Sequence, residues 1–258
     1  MPLKLVFCGT PAFAVPTLRQ LLADPYFEVA GVVTQPDRPR GRGKKTSGSP
    51  VKDAALEAGV AVYQPEKIRS ESSVDYFKRV APGVVVIIAY GQIIPAALIA
   101  IPRLGWINLH GSLLPKYRGA APINWAIVNG EKVTGLTTMQ IDSGLDTGPT
   151  LLKYQTGISP DETAIDLYNQ LAEAGGPLVS ETLKKLDRGE ITPTPQDNSL
   201  ATLAPPQITS KPSSSVGRMM PGVPPAATGL SGLPQIRHCD PRNVVNAPGQ
   251  GCRPRMRL

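Results

Sequence analysis

The sequence predicts an α/β chain built on a doubly wound, mostly parallel sheet with helices on both faces, followed by a disordered C-terminal tail. Three observations carry this reading. Leu3 to Cys8 is an apolar run, followed by a Gly9-Thr10-Pro11 turn, a helical recurrence of Phe13, Val15, Leu18, Leu21 and Leu22, and a second apolar run over Phe27 to Thr34. Strand, helix and strand in that order form the repeating unit of parallel sheets. Val84 to Ala89 is the most hydrophobic stretch, bounded by Pro82-Gly83 and Gly91 and too short for a core helix. It reads as a central parallel strand covered on both faces. From Gln207 onward there is no Phe, Trp or Tyr and no sustained period, so that segment cannot bury enough apolar area to offset its ordering entropy.

Element by element, the first turn is Gly-Thr-Pro. It lacks the G-x-G-x-x-G spacing of dinucleotide sites, so the topology is Rossmann-like without a nicotinamide fingerprint. Gln35 to Lys45 follows, with five cations and no apolar anchor. It is longer than the two to six or so residues usual between strand and helix. Its composition fits either a solvated flexible loop or a contact for phosphates. Pro50 to Ala58 and Ser73 to Arg79 read as helices, Val60 to Tyr63 as a short strand, and Pro95 to Ala100 as a further helix. Beyond residue 110 a helix passes through Ile123, Trp125, Ala126 and Ile127, and Gly135 to Ile141 and Pro149 to Gln155 read as strands. A long amphipathic helix runs from Asp161-Glu162 to about Leu186, acidic at its start and basic at its end, as the helix dipole favours. Gly175-Gly176-Pro177 is expected to kink it.

The stretch richest in chemistry is Gly105 to Pro115, with Asp142 to Gly148 some thirty residues on. Ile107 to His110 alternates apolar and polar, so Asn108 and His110 point to one side of a strand. Gly111 ends that strand, which sets the pair at the carboxyl edge of the sheet, where open α/β sheets bind ligands. Asp146, in a glycine-flanked turn, is placed to orient the imidazole. Amide, imidazole and carboxylate suit acyl transfer, in which the first two stabilise an oxyanion and the substrate brings its own nucleophile. The plainer alternative is an imidazole that satisfies a loop carbonyl and a carboxylate that caps a turn.

Composition narrows the rest. The net charge of +7 comes largely from the tail, where Lys211, Arg218, Arg237, Arg242, Arg253, Arg255 and Arg257 face only Asp240. Residues 1–206 are therefore nearly neutral, and global charge says little about nucleic acid. No run of about eighteen apolar residues predicts a membrane span, and the N-terminus enters a strand with no signal-peptide pattern. Cys8, Cys239 and Cys252 have no metal-ligand spacing; a reducing cytoplasm and no metal are expected.

Laid out in this way, residues 3–206 resemble the methionyl-tRNA formyltransferases. The matching stretches include FCGTPAFAVPTL, VTQPDRPRGRGKK, SPVK, VVIIAYGQIIP, PRLGWINLHGSLLPKYRGAAPIN, TGLTTMQID, GLDTG and DETAIDLYNQLAE. The resemblance implies a formyltransferase catalytic domain over 1–206 and transfer from 10-formyltetrahydrofolate to the α-amine of methionyl initiator tRNA. It implies Asn108, His110 and Asp146 as catalytic residues and Ser112, Leu113, Leu114 and Pro115 as the folate-binding turn. Backbone near Ala89 to Gly91 and Asp142 to Asp146 is expected to line the pterin pocket. Arg42, Lys44 and Lys45 of the basic loop are the expected tRNA contacts. A monomer without membrane or metal partners is expected. Related formyltransferases and formyl-folate hydrolases share the Asn, His and Asp set, so a small amine or water is the alternative acceptor, and an inactive folate-binding product a third reading. Family members continue into a β-barrel that helps grip tRNA. That barrel has no counterpart here, and residues 207–258 read instead as a Pro-, Ser- and Arg-rich tail.

Overall fold

The computed structural model describes residues 1–40 and 45–206. Expectations for Arg42, Lys44 and the tail from 207 fall outside the described residues.

Strand β1 (Leu3–Gly9) sits beside β2 (Phe27–Val33), which pairs with the two-residue β5 (Val62–Tyr63). On its other side β1 pairs with β6 (Val84–Ile88), then come β7 (Trp106–His110), β8 (Val133–Gln140) and β9 (Thr150–Gly157). The order is thus β5-β2-β1-β6-β7-β8-β9, parallel through β7 and antiparallel for the last two strands. The chain moves outward from β1 to β5 and then returns to the other side, so the topology reverses between β1 and β6. Ligand crevices form at such switch points.

The apolar runs are continuous because the strands feed two cores in alternation. Leu5 and Phe7 of β1, and Val84, Val86 and Ile88 of β6, face one cluster. That cluster is closed by α1 (Val15–Ala23), α2 (Pro50–Glu57), α5 (Pro122–Val128) and α6 (Ala164–Asp187). Val6, Cys8, Val85 and Ile87 face the second cluster, closed by α3 (Glu71–Val80) and α4 (Ala96–Ile99). Trp106 is fully buried there and donates its indole N–H to the Leu98 carbonyl at 2.8 Å.

Two elements differ from their sequence reading. The helix α6 starts at Ala164 and not at Asp161. The Thr163 hydroxyl accepts the Asp166 N–H at 3.2 Å, while the Asp166 carboxylate accepts the Thr163 N–H at 3.1 Å. This reciprocal cap sets the boundary more firmly than acidic composition does. The helix runs on through Gly175-Gly176-Pro177, and the glycines serve packing. A Cβ on Gly175 would lie 2.6 Å from a Leu109 methyl, and one on Gly176 would lie 3.0 Å from Gln20 Cβ. The second difference is in the basic loop, whose flanks pair as a two-stranded antiparallel hairpin of β3 (Arg38–Arg40) and β4 (Lys45–Ser47).

After α6 the chain does not leave the body. Thr194 exchanges backbone hydrogen bonds with Thr150 at 2.8 Å, and residues 202–204 pair with the loop around Arg118. This strap crosses the carboxyl edge of the sheet next to the residues of interest.

Candidate active site

Three strand ends converge at that edge. β1 turns at Thr10-Pro11, β6 turns through Ala89 (φ 46°) and Gly91 (φ 88°), and β7 ends at His110. The left-handed conformation of Ala89 is unfavourable for a residue with a Cβ. The turn is held by the Tyr90 carbonyl, which accepts the Thr10 hydroxyl at 3.2 Å and the Gln35 amide at 2.9 Å.

Between these ends lies a cleft of about 620 Å³, within the roughly 300–1,000 Å³ of small-molecule sites. Ile87, Ile88 and Ile141 give it an apolar wall, and Asn108, His110 and Asp146 line it together. A smaller hollow of about 370 Å³, lined in part by Gln35, Arg38 and Ser47, adjoins it, and Tyr90 and Gly91 border both.

The spacing of Asn108 and His110 places both on the cleft side of β7. His110 is 5% exposed. Its Nε2 lies 2.8 Å from the Tyr117 carbonyl. A carbonyl can only accept, so in the neutral ring the proton sits on Nε2. Nδ1 is left facing Asp146, 3.6 Å from Oδ2. That gap exceeds a hydrogen bond, and the pair attracts only when Nδ1 also carries a proton. Asp146 is itself left-handed (φ 51°), and its Oδ2 accepts the Gly119 N–H at 2.8 Å. The loop carbonyl and the capped turn of the plainer reading are therefore both realised, alongside the shared cleft. Among the described residues none hydrogen-bonds the Asn108 amide, which keeps its donors available at the cleft wall.

Ser112 to Pro115 stand elsewhere. None of the four lines the cleft. Ser112 is fully buried and donates to the Lys116 carbonyl at 2.6 Å. The Thr137 hydroxyl donates to the Ser112 carbonyl at 2.7 Å and accepts the Leu114 N–H at 3.1 Å. Lys153 reaches across from β9 to the Leu114 carbonyl at 2.6 Å. The turn, which includes a cis Leu114-Pro115 bond, sits directly behind Gly111 and fixes the end of β7.

Of the expected tRNA contacts, Lys45 pairs with Arg40 in the hairpin ladder. The hairpin root is anchored at Asp37, which pairs with Lys52 and accepts the Gln64 amide at 2.7 Å. The Lys52 ammonium and that amide hold the Asp37 carboxyl below its ordinary range. The same Gln64 amide donates to the Gln35 carbonyl at 2.9 Å, which ties the root to the wall that Gln35 supports.

The cleft is equipped to stabilise an oxyanion and to move a proton. Among the described residues that line it there is no Ser, Thr, Cys or Lys. Cys8 is fully buried in the sheet and burial pushes its thiol well up. Among the described residues no group of three His, Cys, Asp or Glu side chains is gathered as metal ligands, and no helix is long and apolar enough to cross a membrane.

A profile described as formyl transferase matches residues 3–183. The chain belongs to this family. It is 55% identical over 204 residues to the methionyl-tRNA formyltransferase of Acidobacterium capsulatum, covering 79% of this chain and 65% of that relative. It is also 55% identical over 203 residues to the namesake from Solibacter usitatus, with the same coverage. The chain thus spans just under two thirds of the length of these relatives. Among solved structures, glycinamide ribonucleotide transformylase 1 from Symbiobacterium toebii aligns with TM-score 0.63 at 18% identity, over 76% of this chain and 95% of that one. A sugar N-formyltransferase from Shewanella aligns with TM-score 0.60 at 18% identity, over 79% of this chain and 76% of that one. At that identity the structures speak for the family fold alone, and they agree with the Rossmann-like reading of the sequence.

Residues that sequence spacing did not single out are Gly119, Arg118 and Gln196. Gly119 (φ 116°) passes so close to the strap that a Cβ would lie 2.8 Å from the Ala204 carbonyl. The sequence signal for it is the glycine of the RGAAP stretch.

Proposed function

We propose that this chain transfers a formyl group from 10-formyltetrahydrofolate to the α-amine of methionyl initiator tRNA. The observation that carries the proposal is the gathering of Asn108, His110 and Asp146 in one cleft whose described lining holds no Ser, Thr, Cys or Lys. The 55% identity to relatives named methionyl-tRNA formyltransferase supports the tRNA acceptor over the small amines of more distant formyltransferases.

An apolar wall and a volume of about 620 Å³ fit the flat ring system of a folate donor. In this reading the acceptor amine adds to the formyl carbon and the formyl oxygen gains negative charge. Asn108 donates its amide N–H to that oxygen, joined by a protonated His110 through Nδ1, the nitrogen that Tyr117 leaves unengaged. Asp146 balances the imidazolium. As the carbon–nitrogen bond to the donor breaks, the imidazolium gives its Nδ1 proton to the departing folate nitrogen, and the proton released by the amine is taken by Asp146 and returned to His110. Preorganised donors of this kind contribute about 10²–10³ in rate each. Ser112 to Pro115 support the donor site indirectly, by holding Gly111 and His110. Arg42, Lys44 and Lys45 of the basic loop meet the acceptor end of the tRNA through its phosphates; the described flanking residues Arg38 and Ser47 line the hollow that adjoins the cleft. The chain acts in the cytoplasm as a monomer.

The test is formylation of charged initiator tRNA by the purified chain with 10-formyltetrahydrofolate, at low and at moderate salt. Formyl-methionyl-tRNA is the expected product. Donor hydrolysis without tRNA product would favour water as the acceptor and sink the proposal.

A further inference from the structure

We infer that Gln196, on the strap beyond the residues matched by the family profile, is a positioning residue for Asp146. The strap extends some twenty residues past the profile's last residue, 183, and it holds both loops that carry the site.

Gln196 makes four hydrogen bonds. Its amide N–H group donates to the main-chain carbonyls of Asp146 at 2.9 Å and Gly148 at 2.7 Å. Its amide oxygen accepts from Arg118 Nε at 3.1 Å and Nη2 at 2.8 Å. Arg118 also donates to the Asn198 side-chain oxygen at 2.8 Å. Arg118 is 7% exposed, and among the described residues its side-chain partners are these amide oxygens. A buried cation served by neutral oxygens is a costly way to stabilise a fold. What the arrangement does is aim the Gln196 amide with both ends fixed.

The point of aim matters because Asp146 is a non-glycine residue at φ 51°. Left alone, the turn would relax toward a commoner conformation and swing its carboxylate away. The Gln196 amide pins the carbonyls on either side of Thr147. Meanwhile the Asp146 carboxylate receives the Gly119 N–H at 2.8 Å. Gly119 follows Arg118, whose backbone exchanges hydrogen bonds with Thr202 at 2.8 Å and Ala204 at 2.7 Å. One strap therefore fixes the turn of Asp146 through Gln196 and the loop of its Gly119 partner through residues 202–204. Displacing a reacting group by about 1 Å can cost roughly 10² in rate.

The inference rests on the formyl-transfer reading, so its test has two arms. Gln196→Glu keeps the shape and the Arg118 contact but turns a carboxylate toward two carbonyls. Expected is a fall in kcat of about 10–100-fold with an unchanged KM for 10-formyltetrahydrofolate. The double variant Asp146→Asn/Gln196→Glu should match the residual rate of Asp146→Asn within about twofold, because both act through one carboxylate. A raised KM with unchanged kcat, or losses that multiply, would overturn the inference. The second arm needs no turnover. In Gln196→Glu, made in the whole 258-residue chain, the Gly119 amide should exchange with deuterium about tenfold faster, with β1 and β6 amides unchanged. If wild type shows no transfer, the functional reading fails and this arm alone decides: an unaltered Gly119 rate overturns the positioning role, and a faster one upholds it.

Discussion

Nδ1 of His110 stands 3.6 Å from Oδ2 of Asp146, and that same carboxylate oxygen already holds the Gly119 N–H at 2.8 Å. The carboxylate is therefore fixed by the backbone whether or not the imidazole is protonated. The imidazole is anchored separately, on the Tyr117 carbonyl through its other nitrogen.

His110→Ala removes the imidazole that carries the proton in the proposed transfer. Formyl transfer should fall by at least about 10², with donor binding by calorimetry retained. Turnover like that of wild type would take His110 out of the mechanism. Asn108→Ala should fall by about 10²–10³ in kcat through loss of an oxyanion donor, again with little change in donor affinity.

Arg42→Ala is expected to raise the KM for tRNA and to flatten its dependence on salt, by removing one phosphate contact. The KM for the folate donor should stay the same. A tRNA KM that does not change would refute the role of the basic loop in acceptor binding.

Thr137 is fully buried and its hydroxyl serves two backbone groups of the Ser112–Leu114 turn. Thr137→Val keeps the shape and strands a buried carbonyl and a buried N–H, at a cost of about 2–4 kcal/mol. For a unit of this size each kcal/mol lowers Tm by about 2–4 °C, which calorimetry resolves. Because the turn backs Gly111, transfer at low temperature should also slow before the fold is lost.

Asp24 joins α1 to α6 by accepting from Lys184 at 2.6 Å and Ser180 at 3.0 Å, with the Tyr26 N–H at 3.1 Å. The Lys184 hydrogen bond, first among these, holds its carboxyl below the ordinary Asp range. A carboxyl whose pKa is lower when folded contributes stability above its unfolded pKa of about 3.9, and the contribution fades as pH falls toward the folded value. Asp24→Asn should therefore cost about 1–2 kcal/mol at pH 7. The gap between variant and wild type should close on titration below about pH 4; a gap that persists there would refute the linkage.

How much of this was legible follows from where the information lies. β1, β6 and β7 could be read because each alternate residue feeds one of two cores, which leaves near-continuous apolar runs. Asn108 and His110 interrupt such a run on one face, and that interruption is the site's signature. The hairpin flanks were hidden because Pro39 and a run of cations argue against strands, and only the pairing partner settles the question. The helix start was misplaced because Asp161 and Glu162 look like first-turn acids, whereas the Thr163 hydroxyl does the capping. Gln196 lay in a proline-punctuated stretch, Pro193 to Pro206, that resembles a linker. Its role comes from contacts to loops about fifty and eighty residues earlier, and no local period records such contacts.

The Tyr90 carbonyl meets two donors from its own chain, Thr10 and Gln35, and a carbonyl oxygen has two lone pairs. It is saturated as an acceptor before any ligand arrives. A ring N–H or amine presented to that carbonyl finds no vacancy there. That part of the wall is therefore closed to further donors at this carbonyl, however a ligand enters.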